Sequence, residues 1–280
     1  MWDATFGLPV PPVNAVAPTT VANNATMIFS TLAILAFVYG LKHWRDTGRP
    51  ILLLILLGGG LTSVAETFVN LVGSCWHPTI GQTILFQFMG RPIPVWIVAV
   101  YFAFFGTQGS LFYILFKRGV SMNVMRWLFV IPMLIDVVIE TTSLPTGLYL
   151  YDGPQPLVFL GMLPLWWAAC NSIGMFVGIA LVTVCAPHLK GYKALLIPIL
   201  LPMGDMIGYS AIGLPSFIAI NTAGLPNLVV QALGIFTMLL AFLVVHAISL
   251  ILATDSPLRS KQMAAANPVD AVIANLVRAN

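Results

Sequence analysis

The sequence predicts an all-α polytopic membrane protein with seven transmembrane helices. Apolar residues make up 59% of the chain and charged residues only 8%, whereas a soluble domain carries about 25% charged residues. Seven apolar stretches are also long enough to cross a bilayer, which takes about 20 helical residues. These stretches cover residues 24–42, 50–73, 93–116, 125–143, 157–186, 193–213 and 226–253.

These stretches divide the chain into three segments. Residues 1–22 are rich in proline and contain no Lys or Arg, so they lack the basic region of a signal peptide and indicate a short extracytoplasmic segment. Residues 23–254 form the transmembrane domain. Residues 255–280 form a cytoplasmic tail, in which Asn267 and Pro268 predict the start of a short amphipathic helix. We expect this helix to lie on the membrane face or against the bundle.

The basic residues lie almost entirely in loops on one side of the predicted bundle. That side holds Lys42, Arg45, Arg49, Lys117, Arg118, Arg126, Lys190, Lys193, Arg259, Lys261 and Arg278. Only Arg91 falls on the other side. The positive-inside rule then places the N-terminus outside and the C-terminus in the cytoplasm, in a bacterial plasma membrane or a eukaryotic endomembrane. The positive charge follows from this topology, so we expect membrane lipid and no nucleic acid as a partner. Nothing in the sequence indicates the oligomeric state.

Four carboxyl groups lie inside the predicted helices and are the candidate catalytic groups. Glu66 is in the second helix, Asp136 and Glu140 are in the fourth, and Asp205 is in the sixth. Each lies late in a helix that runs outward, so we expect all four at similar depth in the outer half of the bilayer. A charged side chain at the bilayer centre costs roughly 2.5–3.5 kcal/mol on insertion scales, so a cluster of them indicates a functional site. We therefore expect one polar cavity that opens toward the outer side.

Polar and aromatic residues of the same zone are candidates for contact with a bound molecule. They are Asn70, Tyr149, Tyr151, Trp166, Trp167, Asn171 and Tyr209. An interfacial belt is the commoner role for such aromatic residues, and the amides are at least as typical of hydrogen bonds between helices. The three cysteines show no metal-like spacing, the four histidines are dispersed, and no glycine-rich phosphate loop is present. We therefore expect no metal and no other cofactor.

Together these groups predict acid catalysis on a lipid-soluble molecule. A carboxyl group in an apolar site can stay protonated near neutral pH and then acts as a proton donor. Such an acid would protonate an alkene or an epoxide, and aromatic faces with an ionised carboxylate would stabilise the carbocation that forms. A lipophilic isoprenoid dissolved in the membrane suits this chemistry. We assign the acid to the pair Asp136 and Glu140, with Glu66 and Asp205 as charge stabilisers or proton acceptors.

Two stretches of the sequence resemble known enzymes of this chemical type. One resembles the membrane carotenoid hydratases of the bisanhydrobacterioruberin hydratase type, and its matching residues are Glu140, Thr146, Gly147, Tyr149, Tyr151, Pro156, Pro164 and Trp167. The other, Ala65-Glu66, resembles the helix-two acidic site of the seven-helix cyclases that act on epoxidised meroterpenoids. The resemblance implies acid-catalysed hydration or cyclisation of a terpenoid, with Glu66 and Glu140 at the matching positions. Ala65 stands where the cyclases usually have Trp, and their second acid lies in the last helix, which here contains none.

Two other functional classes are alternatives to an enzyme for this sequence. In a proton-coupled transporter the same carboxyl groups would relay protons during alternating access. However, no internal repeat stands out in the sequence, and the acids lie to one side of the bilayer, whereas carrier sites usually lie near its midplane. A purely structural role would not explain why four acidic residues lie inside the membrane helices. The sequence therefore favours a terpene cyclase or hydratase that works without a metal.

Overall fold

The computed structural model describes residues 9–258, and it has seven helices that are long and apolar enough to cross a membrane. They are α1 (Thr19–Thr47), α2 (Ile51–Val72), α3 (Val95–Arg118), α4 (Met122–Thr146), α5 (Leu165–His188), α6 (Gly191–Ile212) and α7 (Asn227–Leu252). A short helix, Leu214–Asn221, lies between α6 and α7. The predicted number of membrane-length helices is thus confirmed. The amphipathic helix predicted after Asn267 lies outside the described residues.

Three two-stranded antiparallel sheets in the loops depart from the purely helical prediction. They pair β1 (Cys75–Trp76) with β4 (Leu150–Tyr151), β2 (Ile84–Phe88) with β3 (Arg91–Pro94), and β5 (Val158–Phe159) with β6 (Leu163–Pro164). The last pair overturns the predicted start of the fifth helix at residue 157. Leu160 and Gly161 have φ values of 51° and 73° and form the tight turn of a hairpin. The helix therefore begins only at Leu165.

The chain segments meet at two distinct ends of the bundle. At one end, which we name the loop end, the segment before α1 contacts the α2–α3 loop through a bond from the Ala17 amide to the Ile80 carbonyl of 2.9 Å. The β1–β4 pairing joins the α2–α3 and α4–α5 loops at the same end. At the other end, the Thr254 amide after α7 bonds the Val120 carbonyl of the α3–α4 loop at 2.9 Å. Which end faces the cytoplasm stays a prediction from the positions of the basic residues.

Helix α5 is the central helix of the bundle. It packs against α3, α4, α6 and α7, and most of its side chains are buried. Its contact with α6 is the closest, because a Cβ atom placed on Gly204 would lie 2.1 Å from the Cα of Gly178. One turn further along, a Cβ on Gly208 would lie 2.6 Å from the Cα of Gly174. Small residues let the two backbones touch, which is the usual basis of tight helix packing in membranes.

Helices α1 and α4 lie on different sides of this centre. Helix α1 packs on α2 and α3, and α4 packs on α5 and α7. Most of the surface of α1 is exposed, as expected for a peripheral helix in contact with lipid. The side chains of α1 and α4 that point toward each other border a cavity at the loop end.

Helix α2 is interrupted immediately before Glu66. Residues 63–65 form a turn, in which the Ser63 amide bonds the Gly60 carbonyl at 3.1 Å instead of a carbonyl four residues back. The Ser63 hydroxyl bonds the same carbonyl at 2.7 Å. Such side-chain bonds to the backbone compete with regular helix and often bend it. The second part of α2 consequently starts at Glu66 and directs this side chain toward α3.

Glycines in the first part of α2 bring α3 close to Glu66. A Cβ on Gly59 would lie 2.5 Å from the Gly106 nitrogen, and one on Gly60 would lie 2.1 Å from the Phe102 ring. The facing segment of α3, Tyr101–Gly106, is a π-helical turn, a feature that is frequent at functional sites. This contact places the Tyr101 hydroxyl beside the Glu66 carboxyl group.

Substituting Gly59 with Ala should separate α2 from α3 and destabilise the fold. The added methyl group would meet backbone atoms that cannot turn away, and overpacking of this kind typically costs about 1–3 kcal/mol. Thermal unfolding in detergent measures the effect. Gly109→Ala is the matched control, because its nearest neighbour is the flexible end of Ile179 at 3.0 Å. Equal unfolding temperatures for the two variants would show that the α2–α3 contact does not determine stability.

Candidate active site

A cavity of about 320 Å³ lies at the loop end, between α1 and α4, with walls from α2, α3 and α5. Its volume falls in the range of ligand pockets, about 300–1,000 Å³. Three of the four acids singled out in the sequence line it, namely Glu66, Asp136 and Glu140. The structure therefore brings acids from two separate helices, α2 and α4, to one chamber.

Two tyrosines of the loop after α4 bind the Glu140 carboxyl group. The hydroxyls of Tyr149 and Tyr151 donate to Glu140 Oε2 at 2.8 and 3.0 Å. The loop returns to the helix because Gly147 has a φ of 79°, a left-handed conformation that suits glycine after a helix end. Burial raises the pKa of both phenols well above the usual value, so they remain protonated donors.

Asp136 lies one turn before Glu140 on the same buried face of α4. Its Oδ2 accepts a bond of 2.9 Å from Asn171 Nδ2 of α5. The neighbouring Ile135 and Val138 are exposed, so α4 directs its two acids inward and its aliphatic side chains outward. Asp136, Glu140 and Asn171 all line the cavity, as do Tyr149 and Tyr151.

Glu66 has a different set of partners. The Tyr101 hydroxyl donates to Glu66 Oε2 at 2.5 Å, and Asn70 lies one turn further along α2. The amide nitrogen of Asn70 bonds His77 Nδ1 at 3.2 Å. Tyr101 and His77 line the cavity but were missed by the sequence analysis. Tyr101 sits inside an apolar run, and the only signal for His77 was its position after Trp76 in a loop at the acid-bearing end.

Aromatic rings form much of the cavity wall. The lining rings, besides that of His77, belong to Phe29, Trp96, Tyr101, Phe104, Phe105, Tyr149, Tyr151 and Trp167. The rings of Tyr151 and Trp167 lie 4.8 Å apart between centroids, and those of Trp96 and Tyr149 lie 5.8 Å apart. Sequence analysis had singled out Tyr149, Tyr151 and Trp167 but not Trp96. A wall of this kind offers π faces to a cationic group.

Four of the predicted site residues lie behind the cavity wall and not in it. Asp205 is buried between α5 and α6, where a Cβ on Gly174 would lie 2.6 Å from its Oδ1. Tyr209 packs on Trp167 with ring centroids 5.7 Å apart, and Trp166 Nε1 donates to Gln155 Oε1 at 3.2 Å. The fourth, Asn70, bonds His77 as described above. Direct contact with a molecule in the cavity is therefore not assigned to Asp205, Tyr209, Trp166 or Asn70.

The isolated cation of this end, Arg91, is part of the loop structure. It is buried and its guanidinium donates to the Cys75 carbonyl at 3.1 Å, while its carbon Cζ lies 5.8 Å from the centre of the Trp76 ring. Its charge acts on Asp152. Burial raises the pKa of Asp152 to about 6, and the nearby Arg91 offsets part of this rise.

The arrangement of ionisable groups also bears on metal binding. Within residues 9–258, no three His, Cys, Asp or Glu side chains are grouped closely enough to hold a metal ion together. The three cavity acids instead each have their own hydrogen-bond donors from phenols or amides. What this arrangement offers chemically is a set of separate carboxyl groups around an aromatic-walled space.

We predict that Asp152→Asn changes the pH dependence of stability. Because the folded protein raises the pKa of Asp152 from an ordinary 3.8 to about 6, it binds this proton more tightly than the unfolded chain. The resulting stabilisation is complete below about pH 4 and is lost as pH rises through about 6. The unfolding temperature of the wild type should therefore fall relative to that of Asp152→Asn across this window. Parallel profiles for the two proteins would contradict the prediction.

Comparisons with protein-family models, with curated proteins and with solved structures found no match to this chain. The function of this chain is therefore inferred from its cavity, from the bonds made by the carboxyl groups there, and from the way in which the helices leave the cavity open.

Proposed function

We propose that this chain is a membrane enzyme that protonates a lipophilic isoprenoid and thereby cyclises or hydrates it without a metal. One observation carries the proposal: three carboxyl groups, two of them on one turn of α4, share an aromatic-walled cavity. Intramembrane acids are rare and usually functional. Acids with separate donors in an apolar cavity suit proton transfer to a neutral molecule better than they suit binding of a charged one.

The general acid in this proposal is the pair Asp136 and Glu140. Their hydrogen bonds from Asn171, Tyr149 and Tyr151 end on Oδ2 and Oε2, which leaves Oδ1 and Oε1 for a proton. Two carboxyl groups one turn apart in a buried site are best accommodated when only one of them is ionised and the other carries a proton. That proton is added to an alkene carbon, whose π electrons form the new C–H bond and leave a carbocation on the neighbouring carbon. With an epoxide the proton goes to oxygen and the C–O bond breaks.

The remaining groups complete the reaction. The aromatic wall stabilises the cation, because a ring face attracts positive charge by about 0.5–2 kcal/mol per contact. A second alkene of the same molecule, or a water molecule, then supplies the electron pair that forms the next bond. Glu66 is held in place by Tyr101 at 2.5 Å and takes the proton that is released from carbon or from the added water. The α4 pair has then lost one proton and Glu66 has gained one, so this proton returns from Glu66 to the α4 pair before the next turnover.

The position of the cavity supports entry of the substrate from the lipid. Ile28 of α1 and Thr142 of α4 line the cavity and are also exposed on the helix surface. A molecule dissolved in the membrane would therefore pass between α1 and α4 without crossing the aqueous loops. We name this passage the α1–α4 opening.

Lipid extracts of a host that makes the protein provide the first test. We expect a new cyclised or hydrated terpenoid with the wild type, and a decrease of at least about 100-fold with Glu140→Gln or Glu66→Gln, since general acid–base groups contribute roughly 10²–10⁴-fold. Mass spectrometry measures the product. Asp46→Asn, which changes an exposed acid in the last turn of α1, is the control and should leave the product level unchanged. Unchanged lipids together with acid-sensitive uptake of a solute would instead support a proton-coupled transporter.

The α1–α4 opening gives a second prediction. Ile28→Trp should narrow the opening and lower the product level by roughly tenfold or more, because small displacements of a substrate have large effects on rate. Met27→Trp is the matched control, since Met27 is 63% exposed and points away from the cavity. Equal product levels for the two variants, both measured at equal protein abundance, would exclude entry by this route.

A further inference from the structure

His77 is a cavity residue for which the proposed reaction has no use. It lies in the loop after α2, only 1% exposed, and lines the cavity. Asn70 Nδ2 contacts its Nδ1 at 3.2 Å. An amide NH₂ group can only donate a hydrogen bond, so Nδ1 must accept it and carries no proton. The proton of a neutral imidazole is then on Nε2.

Asn70 also ties the imidazole to the helix segment that carries Glu66. It is fully buried and lies one helical turn after Glu66 on α2. Its bond to Nδ1 therefore holds His77 against this part of α2.

The surroundings of the imidazole keep it neutral and rigid. Burial, together with the nearby charge of Arg91, lowers the pKa of His77 to about 3. The ring lies edge-on to Trp96 at 5.7 Å and tilted against Tyr149 at 5.8 Å. A neutral histidine with its tautomer fixed by a neighbour cannot serve as a proton acceptor at Nε2. It offers one oriented N–H donor.

We propose that His77 determines specificity by donating its Nε2–H hydrogen bond to an acceptor oxygen, a carbonyl or ether oxygen, of the molecule that enters the cavity. This inference rests on the proposed function, since it takes that molecule to be an isoprenoid. A pure hydrocarbon would leave the buried donor unpaired, and a site built to hydrogen-bond a ligand discriminates against an analogue without the partner group. The substrate class is thereby narrowed to oxygen-bearing isoprenoids.

A matched pair of probes tests the donor directly. One probe is farnesylacetone, whose ketone oxygen can only accept a hydrogen bond, and the other is its isosteric alkene, in which a methylene group replaces that oxygen. Equilibrium binding of the tritiated probes to the full-length protein in lipid nanodiscs is measured against empty nanodiscs. We expect the wild type to prefer the ketone by about tenfold.

Variants of His77 separate a specific donor from a structural role. His77→Phe should abolish the preference for the ketone while the alkene still binds, and His77→Gln, which retains an N–H donor, should restore part of it. His188→Phe, the same change at an exposed position of the opposite end, should leave the preference intact. Equal binding of ketone and alkene to the wild type would contradict the proposed role of His77. It would leave the proposal of acid catalysis standing, because the experiment measures binding and not turnover. Binding of neither probe would overturn both this inference and the proposed function.

Discussion

Every carboxyl group that lines the cavity needs a hydrogen-bond donor in an otherwise apolar bundle, and this requirement organises the loop end. Glu140 is bonded by two tyrosines of the following loop, Asp136 by Asn171 of α5, and Glu66 by Tyr101 of α3. Each acid therefore ties its own helix to a different neighbour. An unpaired buried polar group costs about 1–3 kcal/mol, so these bonds offset a penalty that the acids themselves introduce.

The glycine contacts make these bonds geometrically possible. The close approach of α2 and α3 at Gly59 brings the Tyr101 hydroxyl to Glu66, and the contact of Gly174 with α6 leaves room for Asp205 behind the cavity wall. Tight packing in one half of the bundle coexists with open space between α1 and α4. Hydrogen bonds thus hold the acids among tightly packed helices, while the space between α1 and α4 stays open, a division that the proposed reaction would require.

Hydropathy was sufficient to predict the number of membrane-length helices, because that number depends on composition. The four-residue spacing of Asp136 and Glu140 was sufficient to place them on one face of α4, because an α-helix has a period of 3.6 residues. They failed where conformation depends on single residues. The stretch after residue 157 is as apolar as a transmembrane helix, yet it forms a hairpin because Leu160 and Gly161 have a left-handed backbone conformation. The Tyr101–Glu66 bond joins residues 35 positions apart, so no local pattern contains it. The packing of α6 against α5, which places Asp205 behind the cavity wall, is likewise a tertiary property.

The distribution of donors around the cavity indicates which wall can move. Within the described residues, the side-chain hydrogen bonds to the three cavity acids come from α3, α5 and the loop after α4. Helix α1 contributes lining side chains such as Val21 and Phe29 but none of these bonds. A displacement of α1 would therefore widen the α1–α4 opening without breaking the network that positions the acids. In the proposed reaction, a movement of α1 would admit the substrate, while the other helices would hold the carboxyl groups in a fixed arrangement for proton transfer.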